Sequence, residues 1–173
     1  MLKERVLKAL SNQVNAEFYS AYLYLGMSAF ADRAGYKGVA NWLYVQSQEE
    51  MAHAVHIYKH ILERGEAPSF ADIKAPQASY DSVKEVFERV LAHEKHVSGL
   101  IDNIATIAME ERDHATYNFL AWFVAEQVEE ESSAEELVSK VKLIGDNPAL
   151  LYDLDTALAA RTFTDPFPPA AAD

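Results

Sequence analysis

The sequence predicts an all-α fold: a bundle of four long helices with one long crossover between the second and the third, followed by a short fifth helix. Three observations support this. Apolar residues recur at steps of three and four over four segments of similar length. Only six glycines and six prolines occur in 173 residues, and most of them lie between or after those segments. The links between segments are short, long and short in turn, which is the spacing of a one-crossover bundle.

The first helix spans about Leu2 to Asp32, with Val6, Leu10, Val14, Ala21, Tyr24 and Ser28 on one stripe. One step of that stripe is filled by Glu17, a charge on the face that should be inside. The second helix runs from Lys37 to Arg64 and stops at Gly65, a residue suited to the left-handed turn after a helix. Its stripe is Leu43, Gln46, Glu50, His53, Ile57 and Ile61, again polar in the middle. From Glu66 to Tyr80, a stretch that includes Pro68 and Pro76, no period is sustained, and this is the crossover. Asp81 or Ser82 caps the third helix, which continues to Glu111 with Val83, Phe87, Val90, Leu91, Val97, Ile101, Ile104 and Ala108 inside. Glu94 falls on that same seam. The fourth helix starts near Asp113, ends at Ile144 before Gly145, and puts Leu120, Phe123, Gln127, Glu130 and Leu137 on one face. Pro148 opens the fifth helix, which reaches about Arg161 and closes a single domain of residues 1–161. Thr162 to Asp173 is expected to be an irregular C-terminal tail.

The short first and third links make antiparallel neighbours, whereas the middle link can run the length of the bundle and leave helices two and three parallel. Composition narrows the function. The formal charge of −12, from 27 acidic and 15 basic residues, argues against nucleic acid as a partner and favours cations. No run of about 18 apolar residues occurs and the N-terminus is amphipathic, so neither a membrane span nor a signal peptide is expected, and the protein reads as cytoplasmic. With no cysteine, thiolate metal sites, iron–sulfur clusters and rubredoxin-type iron are excluded.

The polar residues on the apolar stripes are Glu17, Glu50 with His53, Glu94, and Gln127 with Glu130. Each lies close to the middle of its helix. Helices of about 28 to 32 residues are about 42 to 48 Å long, so in a bundle their middles meet at one level. In the run Gln48 to His53, Glu50 and His53 are one turn apart and face the same way, so both can hold one metal ion. Burying four carboxylates together would cost several kcal/mol each, about the point at which they protonate or recruit a cation. Oxygen and nitrogen donors without thiolate suit iron, manganese or zinc.

With these residues in place, the chain resembles the ferritins over nearly its full length, and most closely the haem-free bacterial ferritins. The resemblance implies a shell of 24 subunits that oxidises Fe(II) with O2 or H2O2 and stores ferric mineral in its cavity. It also implies that Glu17, Glu50 and His53 hold a first iron, with Glu50 bridging, and that Glu94 and Glu130 hold a second, with Gln127 close by. A third iron position would be built from Glu49, Glu126, Glu129 and Glu130, and Tyr24 resembles the tyrosine beside the iron pair. The second motif here is Gln127-x-x-Glu130 where bacterioferritins repeat Glu-x-x-His, so the pair is asymmetric. Met51 lies near the place of the bacterioferritin haem ligand, and haem is weighed and not favoured. A haem-containing bacterioferritin and a discrete di-iron peroxidase or oxygenase are the alternatives. The acidic pair of animal three-fold channels would fall near Tyr117 and Leu120, which leaves that route without its acids. His56, His60, His93, His96 and His114 are read as surface residues or as neighbours of the ligands.

Overall fold

Helix ends in this chain are written by local chemistry, and the ends fix the bundle. The structure, a computed structural model, describes residues 1–167, and among these it contains α1 (Glu4–Arg33), α2 (Lys37–Glu63), α3 (Val83–Glu110), α4 (His114–Ile144) and α5 (Pro148–Leu158), with no strand. Ser82, rather than Asp81, caps α3: its hydroxyl accepts from the Glu85 amide at 3.1 Å, and the Glu85 carboxylate accepts from the Asp81 amide at 2.7 Å. Asp113 caps α4 through the Thr116 amide at 3.1 Å. It also takes both guanidinium arms of Arg64, at 2.9 and 3.2 Å, which ties the end of α2 to the start of α4. Gly65 sits at φ +81° just past α2, a conformation that costs a glycine little.

α1 packs mainly on α2, and α3 on α4, with α1 also against α3. The crossover runs along α1, where Ser69 bonds Ser11 and Asn15, Ala71 bonds Asn15, and Pro76 lies against Gly26. It therefore climbs from the N-terminal to the C-terminal end of α1 and delivers α3 parallel to α2. The topology is the expected one-crossover bundle. No helix among the described residues is long and apolar enough to cross a membrane.

Small departures have simple causes. α1 begins at Glu4, two residues later than expected, although Leu2 is buried. Ser28 and Leu91 are half-buried, and the Ser28 hydroxyl donates to the Ala40 carbonyl. α5 stops at Leu158 rather than Arg161, and around and beyond its end the Asn41 side-chain amide donates to the carbonyls of Leu158, Ala159 and Arg161. α5 also presses hard on α2: a Cβ on Gly38 would lie 1.6 Å from the Asp155 carbonyl oxygen, and the Asp155 carboxylate accepts from the Val39 amide. Residues 162–167 form neither helix nor strand, and the rest of the expected tail, 168–173, lies outside the described residues.

The interior divides in two. One apolar cluster, around Tyr24, Met27, Leu43, Phe87 and Val138, fills the end near α5, and a second, around Leu10, Ile57, Ile101, Leu120 and Phe123, fills the other end. Between them lies a layer of polar side chains.

Candidate metal centre

Every stripe-breaking residue points inward. Glu17 (1% exposed), Glu50 (3%), His53 (2%), Glu94 (0%), Gln127 (7%) and Glu130 (7%) are all buried, so α1, α2, α3 and α4 each contribute to the polar layer. Glu17, Glu50 and His53 each present a ligand atom, and these atoms lie within 4.8 Å of one another, the only such trio of possible metal ligands among the described residues. His53 Nδ1 lies 3.5 Å from Glu50 Oε2, and its ring is held edge-on by Trp122 and Phe123.

Three amides and a phenol hold the carboxylates. Gln13 Nε2 donates to Glu17 Oε1 at 2.8 Å, and Gln46 Nε2 donates to Glu130 Oε2 at 2.9 Å. The Tyr24 hydroxyl donates to Glu94 Oε1, and Gln127 Nε2 donates to Glu94 Oε2 at 3.2 Å. Gln13 and Gln46 were not among the expected site residues, although each lies four residues before an acid on its own helix, the spacing at which side chains meet. Even so, Glu17 Oε2, His53 Nε2 and Gln46 Oε1 are buried without a partner among the described residues. Buried polar atoms are rarely left unpaired, and three at one level mark a place built for something that bonds to them.

The electrostatics say the same. Burial, then the charge of Glu50, raises the Glu17 carboxyl to about 8. Glu50 stands well above the usual carboxylate range through burial and the charges of Glu94 and Glu130. Burial, with Glu94 next, lifts Glu130 to about 7, and Glu94 is raised by burial against the pull of Tyr24 and Gln127. Tyr24 is also pushed well up, by burial and by the carboxylate beside it. A layer of acids that resists ionising in the bare protein is relieved by a cation, and the donor set of carboxylate oxygens and one imidazole suits a di- or trivalent first-row ion.

The residues expected to form the third position are more dispersed. Glu49 is half-buried and accepts from Arg161 Nη2 at 2.5 Å, Glu126 is half-buried, and Glu129 is exposed. Met51 is 46% exposed. Leu120 is fully buried in the apolar core and Tyr117 is exposed. Of the other histidines, His60 is buried against Phe119 and Thr116, His56 stacks on Phe167, and His93 meets the Ser20 hydroxyl at 2.8 Å and the Tyr24 ring edge-on. Burial drives His93 down to about 4, so it is a neutral neighbour of Tyr24. His96 and His114 are exposed.

Comparison with known proteins gives the family of the chain. A family model described as a ferritin-like domain matches residues 7–144. Bacterial non-heme ferritin from Staphylococcus haemolyticus is 41% identical over 165 residues, covering 95% of this chain and 99% of that protein. Its Staphylococcus aureus counterpart is 38% identical over the same length. Among solved structures, an Archaeoglobus fulgidus ferritin engineered to a closed form superposes with a TM-score of 0.93 at 46% identity, covering 95% of this chain and all of that one. The open-pore ferritin of the same archaeon gives 0.92 at 44%, covering 94% of this chain.

Proposed function

Because the chain belongs to the ferritin family, we propose that it is the subunit of an iron store: a hollow homo-oligomeric shell, of 24 copies by family resemblance, with a ferroxidase centre inside each subunit. The observation that supports this most is the trio Glu17, Glu50 and His53 with its ligand atoms within 4.8 Å, set in a buried polar layer that holds unpaired oxygen and nitrogen atoms.

Fe(II) is the substrate. Glu17 and His53 hold one ion, Glu50 bridges, and Glu94 and Glu130 hold the other, with Gln127 alongside. Ferrous ions displace protons from carboxyls that burial has kept protonated, so the pair enters with little net change in buried charge. Hard carboxylates favour Fe(III) over Fe(II), which lowers the potential of the bound pair. Each ion gives up one electron; O2 takes two electrons and two protons to become H2O2, or H2O2 takes them to become two waters. Tyr24 holds Glu94 in place through its hydroxyl. The ferric product leaves by way of Glu49, Glu126 and Glu129, with Glu130 shared, toward the store.

Glu50→Ala and His53→Ala are expected to abolish ferrous oxidation in the first seconds after mixing, followed by absorbance, with the assembled particle intact by light scattering. Unchanged early oxidation would contradict the assignment. A particle of shell size that takes up far more than three irons per chain supports storage, whereas a dimer that saturates at two would make the protein a discrete di-iron enzyme.

A further inference from the structure

Asn41, Trp42 and Glu49 lie in the first half of α2, and all three hold the chain as it leaves α5. The Asn41 amide donates to the Arg161 carbonyl at 2.9 Å. The Arg161 guanidinium sits over the Trp42 indole, 4.7 Å from the ring centroid, and its Nη2 donates to Glu49 Oε2 at 2.5 Å. Cation–π and charge-assisted contacts thus act on one side chain whose backbone is itself tied down. Farther on, Phe167 stacks on His56 with ring centroids 3.6 Å apart and meets Trp122 edge-on at 4.4 Å. The segment from Arg161 to Phe167 therefore follows α2 from Glu49 to His56 and passes His53 on the way.

We propose that Arg161 is a tethered counter-ion that competes with a metal ion for Glu49, so that the third position fills only when the guanidinium swings away. This rests on the metal-centre reading above and adds the control of its exit position. Glu49 has one strong demand, a positive charge at its carboxylate, and Arg161 meets it from within the same chain. The charge of Arg161 also acts on Glu126, the next acid of that position. Yet the fit is incomplete: Arg161 Nη1 is buried with no acceptor among the described residues, and the side chain is 27% exposed. A guanidinium that is held but not saturated, with a path to solvent, can leave. When a site is free only a fraction of the time, its apparent affinity falls by that fraction, and occupancy of about nine-tenths by Arg161 weakens metal binding about tenfold. The consequence is directional. Iron dwells at the oxidising pair first and reaches the third position at higher load.

The test uses the assembled full-length protein and Zn(II), which accepts the same donors without redox chemistry, followed by calorimetry and equilibrium dialysis. The wild type is expected to bind two ions tightly and a third weakly. Arg161→Gln should tighten the third about tenfold and leave the first two unchanged. Glu49→Gln in that background should erase the gain. Asn41→Ala, which loosens the tether without touching any acid, should shift the third in the same direction if Arg161→Gln does not assemble. A third affinity that is unchanged or weaker in Arg161→Gln, or a gain that survives Glu49→Gln, overturns the proposal. Glu50→Ala is run alongside: two tight ions persisting there would overturn the metal-centre reading, while the effect of Arg161 on the third ion is scored independently.

Discussion

The two halves of the polar layer are built differently. On the α1 and α2 side, Glu17 Oε2 and His53 Nε2 are left unpaired and the three ligand groups already converge within 4.8 Å. On the α3 and α4 side, Glu94 is held by Tyr24 and Gln127, and Glu130 by Gln46. The first half offers unpaired ligand atoms beside the one bond from Gln13 to Glu17, while in the second both oxygens of Glu94 and one of Glu130 accept from the protein. On the proposed reading, the missing second histidine is only part of the asymmetry: the protein donors that hold Glu94 and Glu130 would make the second ion the weaker and the more mobile of the pair.

The largest effect should follow from removing the imidazole. His53→Ala is expected to weaken the first Zn(II) by about a hundredfold or more, since losing a direct ligand costs at least what losing a ligand's supporting partner does, whereas Glu130→Ala should weaken the second by about tenfold. Equal losses would remove the distinction. Gln127→Glu combined with Glu130→His repeats the Glu-x-x-His motif on α4 and should draw the two affinities together, read from the same titration. A second ion that stays as weak as before would mean that the motif is not what separates the halves.

The pH dependence is the next test. Carboxyls ordinarily near 4.5 are raised to about 8 at Glu17 and about 7 at Glu130. The folded chain therefore keeps protons that the unfolded chain has lost, and the stability of the metal-free protein is greatest below the ordinary value and falls as pH rises toward 8. Denaturant midpoints of metal-free protein should drop between about pH 5 and about pH 8, and saturating Zn(II), which takes the place of those protons, should remove the drop. Glu17→Gln should flatten the metal-free trend. A midpoint that climbs over that range would contradict the sign.

The smallest effect concerns Tyr24. Tyr24→Phe removes the donor to Glu94 and should cost about 1 to 2 kcal/mol of stability by denaturation while leaving the first ion's affinity unchanged. A weakened first ion would mean that the two halves are coupled through this phenol.

The bundle was legible because its signals are local. Ser82, Asp113, Gly65 and Gly145 mark helix ends by backbone chemistry, and Glu17, Glu50, Glu94 and Glu130 stand out as charges on otherwise apolar stripes. All four are buried where their helices meet. Gln13 could have been read from its helix, since it precedes Glu17 by one turn, whereas Gln46 precedes Glu50 but bonds Glu130 on α4, a pairing that only the packed helices make. Arg161 and Phe167 could not be read. They reach Glu49 and His56 through an irregular segment with no period, and what sets their path, the seat of α5 on Gly38 and the Asn41 amide, is tertiary. The end of α5 is hidden in the sequence for the same reason: the chain around it is held by Asn41, far away in the sequence.

Crystals of the assembled protein soaked with graded Zn(II) and read by anomalous diffraction test the central claim most directly. At the lowest load the account predicts one metal peak bonded to Glu17, Glu50 and His53, and at higher load a second shared by Glu50, Glu94 and Glu130. First occupancy on the Glu94 side, or metal only outside the bundle at every load, would contradict it.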